Sequence, residues 1–537
     1  MRNERRGTKV VLTADRTLMS EYQGGIFLGF SACIPRGLIP DTLFFSLICP
    51  SVPVDGRGAV RYAPCGLRKI EAKLVEEFGR EGVVVAHPDH LGRAVGPDTH
   101  VLGVAETDPL GQGPATTTFG QILGGTGYMA SKFRDILAHP AVKKFKPSIV
   151  VGGPGAWQLD DPGTLANLGL DSVVVGEGET VVSRLFRQAA SRSDPPGIVH
   201  GPAAEESEIP TLRGGTIDGI VEIARGCGRG CAFCVPTIQK HRSLSIGHIL
   251  ADVGVNLRAG RRPLLHAEDV FRYGAGGQAP DPSAVEELFA AVRGCPGVEA
   301  LGFSHFALSS VASSPGLIED VSRLIRSSPD DPWISGQTGL ETGSPRLMRK
   351  FMAGKAKPFE PEEWPQVVKE AFRILSANSW VPLATLILGL PEETDDDIQA
   401  TIDLIVGLRR HKSLFIPLLM VGGGGRLGGA PSFRARQISR KQCELLILCW
   451  EHNLAWAPVL MEEYFALNRG VNGRIIKRVI SYALKEARKL LAAGREKYRF
   501  DFQAMIRDAE AGRLPLPRML RLGSAIAPSR RAKREWI

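Results

Sequence analysis

The sequence predicts an α/β chain made of a doubly wound parallel sheet, a parallel partial (β/α)6 barrel and a helical C-terminal region. Three observations carry that expectation. Short apolar strands alternate with helical stretches over the first 185 residues, and the same rhythm returns six times from Gly219. Long helical patterns then follow a glycine run at Gly422–Gly429.

In the N-terminal part the strand candidates are Lys9–Thr13, Gly82–His87, Val101–Ala105, Ser148–Gly152 and Ser172–Val175. Between the first two, Leu67, Ile70, Leu74, Val75 and Phe78 fall on one helical face of Gly66–Phe78. An insertion at Ile26–Cys65, rich in Pro and Phe, does not follow the pattern. The first domain is therefore placed at residues 1–189, with the irregular insertion at 26–65. Residues 190–216, with Ser191–Gly197 and the acidic Glu205, Glu206 and Glu208, carry no periodicity and read as a linker.

The second region, 217–424, has strand-like segments at Gly219–Ala224, Pro263–His266, Ala300–Ser304, Trp333–Leu340, Val381–Gly389 and Ser413–Val421. Thr394 with Asp397 three residues on is a helix start, followed by Ile398, Ile402, Ile405 and Leu408 on one face. In parallel α/β sheets reactive groups gather at the carboxyl ends of the strands. The last domain, 425–537, contains the helical patterns Lys441–Tyr464 and Gly473–Ala493.

The chain has 537 residues, 43% hydrophobic and 23% charged, which argues against a disordered or fibrous protein. No apolar run reaches the ~18 residues of a membrane span, and no signal peptide is visible at Met1–Lys9. Nine cysteines, mostly scattered, argue against a disulfide framework and for a reducing cytosol, so a cytoplasmic, non-membrane monomer is expected. The net charge of +9 is uneven: Arg426–Ile537 holds 23 Lys and Arg against 10 Asp and Glu. That basic surface favours acidic partners, RNA among them, although a solvated helical face has the same composition.

The strongest chemical signal is Cys227-Gly-Arg-Gly-Cys231-Ala-Phe-Cys234, directly after the first strand of the six-unit region. Three thiolates at Cys-x3-Cys-x2-Cys spacing suit a soft-metal cluster. Gly226, Gly228 and Gly230 let the backbone turn tightly around it. Electron-transfer clusters take four cysteines, so three leave one iron open to an exogenous ligand. A zinc site with His241 as fourth ligand, or three unliganded thiols, are the competing readings. Cys295, Cys443 and Cys449 read as ordinary thiols.

With Phe233 before the last cysteine, the segment from about Gly219 to Val421 resembles the radical S-adenosylmethionine (SAM) superfamily. The resemblance implies a 4Fe–4S cluster on Cys227, Cys231 and Cys234. Its open iron chelates SAM, which is split to methionine and a 5′-deoxyadenosyl radical. It implies that Phe233 lies along the adenine and that Glu268 or Asp269, after the second strand, receives the SAM ammonium. Ser304 beside His305 at the third strand end, and Glu341 and Ser344 in Gly339-Leu-Glu-Thr-Gly-Ser344, complete the expected SAM set. Gly339–Ser344 and Leu388-Gly-Leu-Pro391 resemble cobalamin-binding members in particular.

Upstream, Val150–Ala156 and Val173–Glu179 place glycines at strand-to-helix turns, where a ligand can approach the backbone. Together they resemble the Rossmann-like cobalamin-binding domain of the class B methylases, with Gly152, Gly153, Pro154, Gly155, Gly176, Glu177 and Gly178 as cobalamin-binding residues. The Asp-x-His-x-x-Gly cobalt-ligand signature is absent, since Asp89 and His90 are adjacent. His87, His90 and His100 read as surface or satisfied residues.

The resemblance implies a cobalamin-dependent radical SAM methyltransferase. It would add a methyl group, carried as methylcobalamin, to an unactivated carbon under anaerobic conditions, with ferredoxin or flavodoxin as reductant. Val10–Arg16, Gly152–Trp157 and Leu265–Asp269 resemble archaeal members, one activity of which is methylation of a glutamine in methyl-coenzyme M reductase, so a protein residue is the expected acceptor. The alternatives are a methylthiotransferase acting on tRNA or protein, for which Cys33, Cys49 and Cys65 are the available further cysteines, a cobalamin-assisted rearrangement or cyclisation, and a non-catalytic cluster-binding protein.

Overall fold

Valine-rich strands, buried on both faces, organise the N-terminal half. The computed structural model describes residues 6–513 apart from 23–28, 192, 194, 236–239, 327–332, 424, 468–470 and 512. β1 (Val10–Ala14), β2 (Val83–Val85), β3 (Val101–Ala105), β4 (Ser148–Gly152), β5 (Ser172–Gly176) and β6 (Ile198–Gly201) form one parallel sheet in the order β2-β1-β3-β4-β5-β6. Alternate residues face two separate cores: Val10, Leu12 and Ala14 enter one, Val11, Leu102 and Val104 the other. Two-sided burial is what a parallel sheet with helices on both faces requires. Helix α1 (Cys65–Phe78) covers the first face with Leu67 and Leu74.

The stretch 190–216 is not wholly a linker. Ile198–Gly201 pairs in parallel with β5, so the first domain extends to Gly201. Four half-exposed residues at a sheet edge carry too little apolar alternation to register as a strand. The described part of the insertion folds as short turns, Phe30–Cys33, Asp41–Leu43 and Phe44–Ile48. Phe44 stacks on Tyr128 with ring centroids 4.0 Å apart, which anchors the insertion to the domain.

The second region is a partial barrel. β7 (Ile220–Glu222), β10 (Leu264–His266) and β11 (Gly302–Phe303) pair in parallel, as do β12 (Ile334–Glu341), β13 (Trp380–Leu388) and β14 (Leu414–Leu419). A parallel bridge between His305 and Gln337 joins the two triplets. β8 (Ala224–Arg225) leaves the barrel and pairs antiparallel with β9 (Arg242–Ser243). Thr394 and Asp397 form a capping box at the start of the helix Asp395–Gly407.

The N-terminal domain is laced to both free edges of this barrel. On the β14 side, helix α2 (Pro114–Leu123) presents Thr118 Oγ1, which accepts from Leu419 N at 2.8 Å. On the β7 side, Lys69 of α1 and Asp252 of helix α3 (Ile246–Arg258) form a fully buried pair at 2.6 Å. The helical region finishes the β14 edge. Asn453 of the helix Arg440–Leu467 exchanges hydrogen bonds with the backbone N and O of Phe415, both at 2.7 Å. An unpaired strand edge is thereby satisfied. The helices Val471–Glu496 and Phe502–Glu510 follow, and part of their basic charge is spent in ion pairs, such as Lys477–Glu462 and Arg495–Glu451. Residues 514–537 of the basic domain lie outside the described residues. No described helix is long and apolar enough to cross a membrane.

Breaking the interdomain pair leaves a buried ammonium without its counterion. Asp252→Ala should destabilise the chain by about 3–5 kcal/mol, whereas replacing both partners by apolar residues should recover much of that loss. Denaturant unfolding midpoints of the single and double variants check this.

Candidate active site

The loop Cys227–Cys234 follows β8. Its glycines 226, 228 and 230 all take positive φ, 67°, 64° and 66°, which a side chain would resist. Cys231 is buried and all three cysteines are free. The Cys231 and Cys234 thiols hydrogen-bond each other. That contact, aided by Lys355, lowers Cys231 to about 7 and raises Cys234.

The loop is held by its backbone. Helix α4 (Pro345–Ala356) breaks at Met352, where φ is −152°, and so frees its last carbonyls. Phe351 O accepts from Ala232 N at 2.7 Å, and Gly354 O and Lys357 O accept from the Arg229 guanidinium at 3.2 and 3.0 Å. A Cβ on Gly354 would stand 2.0 Å from Arg229 O, so only glycine allows this approach. From the other sides, Arg272 donates to Cys227 O, Gln278 Nε2 to Gly228 O at 2.9 Å, and Arg426 to Gly230 O at 2.8 Å. The peptide groups around the thiols are thus occupied by partners from outside the loop, and the thiols are bound in no disulfide.

This donor set fits a polynuclear thiolate cluster. Three unpaired thiols sit on one tightly turned loop, yet among the described residues no three His, Cys, Asp or Glu side chains are gathered closely enough to hold a single metal ion. The zinc reading needed His241. Burial lowers that imidazole to about 4, and its Nε2 has no hydrogen-bond partner among the described residues.

The structure separates the adjacent acids after β10. Asp269 is buried and spent on the protein: its carboxylate accepts from Arg229 at 2.8 Å, Ser310 Oγ at 2.7 Å and Ala307 N at 3.1 Å. Glu268 is exposed, close enough to Cys227 for its charge to be felt there. Ser304 Oγ lies 2.8 Å from His266 Nδ1. His305 Nε2 meets Gln337 at 3.1 Å, while burial and His266 lower His305 to about 4, so it is neutral at pH 7.

Glu341 has φ 65°, a strained value for a side-chain-bearing residue, at an irregularity in the β12–β13 register. Its carboxylate meets the Lys355 ammonium at 2.9 Å. A Cβ on Gly339 would lie 2.0 Å from Glu341 Oε1 and 2.4 Å from Lys355 Nζ, so the first glycine of this motif makes room for an ion pair. Ser344 caps α4 by accepting from Leu347 N and donates to Asp397. Phe233 packs partly buried against the barrel core.

The N-terminal glycines serve backbone packing. A Cβ on Gly153 would stand 2.6 Å from Glu106 O, on Gly155 2.3 Å from Thr107 O, on Gly176 2.3 Å from Gly201 O, and on Gly178 2.9 Å from Ile70. Gly152 ends β4, and Pro154 is exposed. Glu177 is bound by Arg225 at 2.7 Å and by Arg242. None of these seven lines the cavity of about 590 Å3 that opens between the domains; its walls include Gln112, Thr116, Arg134, Trp157, Gly423 and Ser432. The lining is polar, and Thr116 is buried there beside the Cys33 thiol. Such a site suits a large ligand rich in amide and hydroxyl groups.

Behind this cavity, at the carboxyl ends of β1 and β3, Asp15 and Glu106 are fully buried. Burial raises Asp15 to about 6 and, with Asp15 as neighbour, raises Glu106 further. The residues around the cysteine loop that the sequence did not reveal are Arg229, Arg272 and Lys355. Arg229 stands inside the cysteine motif and was the one visible signal.

No family model matches the chain. Curated relatives include tRNA-2-methylthio-N(6)-dimethylallyladenosine synthases from Nocardia farcinica, 27% identical over 215 residues (39% of this chain, 40% of the relative), and Corynebacterium efficiens, 27% over 212 residues (37% of each). The chain spans about two fifths of the length of these relatives. Among solved structures, the radical SAM methyltransferase TsrM from Kitasatospora setae matches with TM-scores of 0.51 and 0.52 at 13% identity. The first alignment covers 78% of this chain and 75% of that one, the second 81% and 78%. One of those structures holds tryptophan and a SAM analogue, the other cobalamin and a 4Fe–4S cluster. At this identity the likeness is one of fold: an N-terminal α/β domain, a partial barrel and a helical C-terminal region. More particularly, the chain shares that fold with TsrM over about four fifths of its length.

Two outcomes follow from this geometry. Gly354→Ala should reduce iron bound per chain severalfold after anaerobic reconstitution while the far-ultraviolet circular dichroism stays unchanged. The raised acids mean that the folded state holds protons the unfolded chain releases. Stability should therefore fall as pH rises from the ordinary carboxylate range through about 6 and beyond, and Glu106→Gln should flatten that slope in unfolding midpoints compared at pH 5 and pH 8.

Proposed function

We propose that the protein is a cobalamin-dependent radical SAM methyltransferase acting on an unactivated carbon. The observation that carries this reading is the loop of three free thiols, locked by its backbone at the mouth of a partial barrel and overhung by a domain with a polar cavity. When bound, the cofactors supply a reducing electron, a SAM-derived radical and a methyl group held on cobalamin; the protein supplies positions and exclusion of water.

Cys227, Cys231 and Cys234 would hold the cluster. Glu268, for which the described residues offer no internal partner, is the carboxylate offered to the SAM ammonium, since Asp269 is committed to Arg229. Phe233 would bound the adenine. The Glu341–Lys355 pair presents a fixed carboxylate and ammonium inside the barrel beside the cysteines, able to meet the polar ends of an amino acid. Ser304 would contribute through its contact with His266. Cobalamin would occupy the interdomain cavity rather than the glycine turns at 152–155 and 176–178. Thr116 would offer it a hydroxyl, Arg134 a cation and Trp157 a flat face. A ferredoxin or flavodoxin is the reductant class. The acceptor class is a protein residue, and the resemblance of Val10–Arg16, Gly152–Trp157 and Leu265–Asp269 to archaeal members supports a glutamine of methyl-coenzyme M reductase.

A methylthiotransferase is the second reading, favoured by the tRNA-modifying relatives. The placement of the further cysteines weighs against it. Cys49 Sγ lies 3.2 Å from the Tyr22 hydroxyl, Cys33 lies against Thr116, and Cys65 opens α1 near Glu222. Three separate environments do not form one cluster loop.

Anaerobically reconstituted protein should bind a corrinoid, seen in its visible absorption, and turn SAM over to 5′-deoxyadenosine with dithionite. Cys227→Ala, Cys231→Ala and Cys234→Ala should each abolish SAM cleavage, and Cys443→Ser should leave it intact. A product heavier by one CH2, found by mass spectrometry of the host proteome with and without the gene, supports methylation. A gain of a methylthio group selects the second reading.

A further inference from the structure

Of the three arginines bonded to the cysteine loop, Arg426 is exposed and Arg229 and Arg272 are buried, and the buried two are not equivalent. Arg229 is neutralised by Asp269 at 2.8 Å, and that carboxylate is further fixed by Ser310 and Ala307 N. Arg272 is also buried, at 3% exposure, yet among the described residues no carboxylate comes within salt-bridge distance of it; Asp269, bound to Arg229, acts on it only from farther away. Its guanidinium donates to the carbonyls of Cys227 and Gly277. It follows β10 in the turn Val270–Arg272, and its burial leaves it no rotameric freedom to reach solvent.

Around the loop Lys355 is matched by Glu341 at 2.9 Å, Arg426 is exposed, and the exposed Glu268 makes its charge felt at Cys227. Arg272 is thus a buried cation without a salt-bridge partner among the described residues, bonded to the carbonyl of a cysteine.

We infer that Arg272 is a positioning residue that holds the Cys227 peptide and sets the reduction potential of the cluster through its unpaired charge. The inference rests on the cluster reading proposed above. The electron added on reduction makes the cluster and its thiolates more negative. A fixed positive charge nearby therefore stabilises the reduced form and raises the midpoint potential. A unit charge at roughly 10 Å, through an effective dielectric of about 20, changes a one-electron equilibrium by about tenfold, which corresponds to about 59 mV. Lysine cannot replace Arg272 fully. It keeps the charge but lacks the planar fork that binds two carbonyls at once.

The test is a redox titration of reconstituted full-length protein, followed by the electron paramagnetic resonance of the reduced cluster, with no turnover required. Arg272→Gln should lower the midpoint by about the tenfold equivalent at unchanged iron and sulfide content, and Arg272→Lys should stay near wild type. Gln278→Lys places a new cation beside Gly228, whose carbonyl Gln278 now binds, and should shift the midpoint upward. If Arg272→Gln fails to retain its cluster, the Gln278→Lys shift decides the matter. Unchanged midpoints in the cluster-bearing variants would overturn the inference. A wild-type protein that takes up no iron and sulfide would instead overturn the cluster reading on which it rests.

Discussion

The contact between the cysteine loop and the broken end of α4 is the constraint on which the site depends. A helix normally spends its carbonyls on its own amides, and only the last turn has any to give. The break at Met352 puts such carbonyls beside the loop, and Gly354 lets the two backbones touch. The loop can then adopt three left-handed glycine turns, because its polar groups are satisfied from outside rather than by a regular element. The consequence is chemical. Three soft donors sit on one short loop whose peptides are already occupied, which suits a cluster with one open corner.

A second constraint is the open barrel. Six parallel strands leave two free edges, and a free edge with unsatisfied amides is a liability. Here each edge is closed by a different part of the chain. Thr118 and Asn453 satisfy the β14 side, while the buried Lys69–Asp252 pair and the Arg225 cluster with Glu177, Glu179 and Glu222 bind the β7 side to the first domain. The first domain therefore cannot swing freely. Trp157 lies against Gly423, where a Cβ would stand 2.3 Å from its ring, so the cavity between the domains has a fixed wall on each side.

Much of this was legible before the structure. β3 and β4 end where their valine runs end, and the Thr394 box starts its helix as read, because both signals are local. The cysteine spacing was legible for the same reason. What the sequence did not disclose depends on partners far along the chain. Arg272 and Cys227 are 45 residues apart, and Arg229 and Gly354 are 125 apart. Glu268 and Asp269 are chemically alike neighbours, and only the position of Arg229 tells them apart. Glycine turns announce that something comes close without saying what: at Gly153 and Gly176 it is the backbone of the adjoining strand segment. Ser344 shows a related ambiguity, since a serine before Pro345 suits a ligand contact and a helix cap equally well.

The central claim is that the polypeptide supplies three ligands and leaves a fourth place to SAM. Mössbauer spectroscopy of iron-57-enriched protein, recorded with and without SAM under anaerobic conditions, tests it most directly. One iron in four should change its spectrum when SAM is added, while the other three keep theirs. Four irons indifferent to SAM, or tetrahedral zinc in place of iron, would contradict the account.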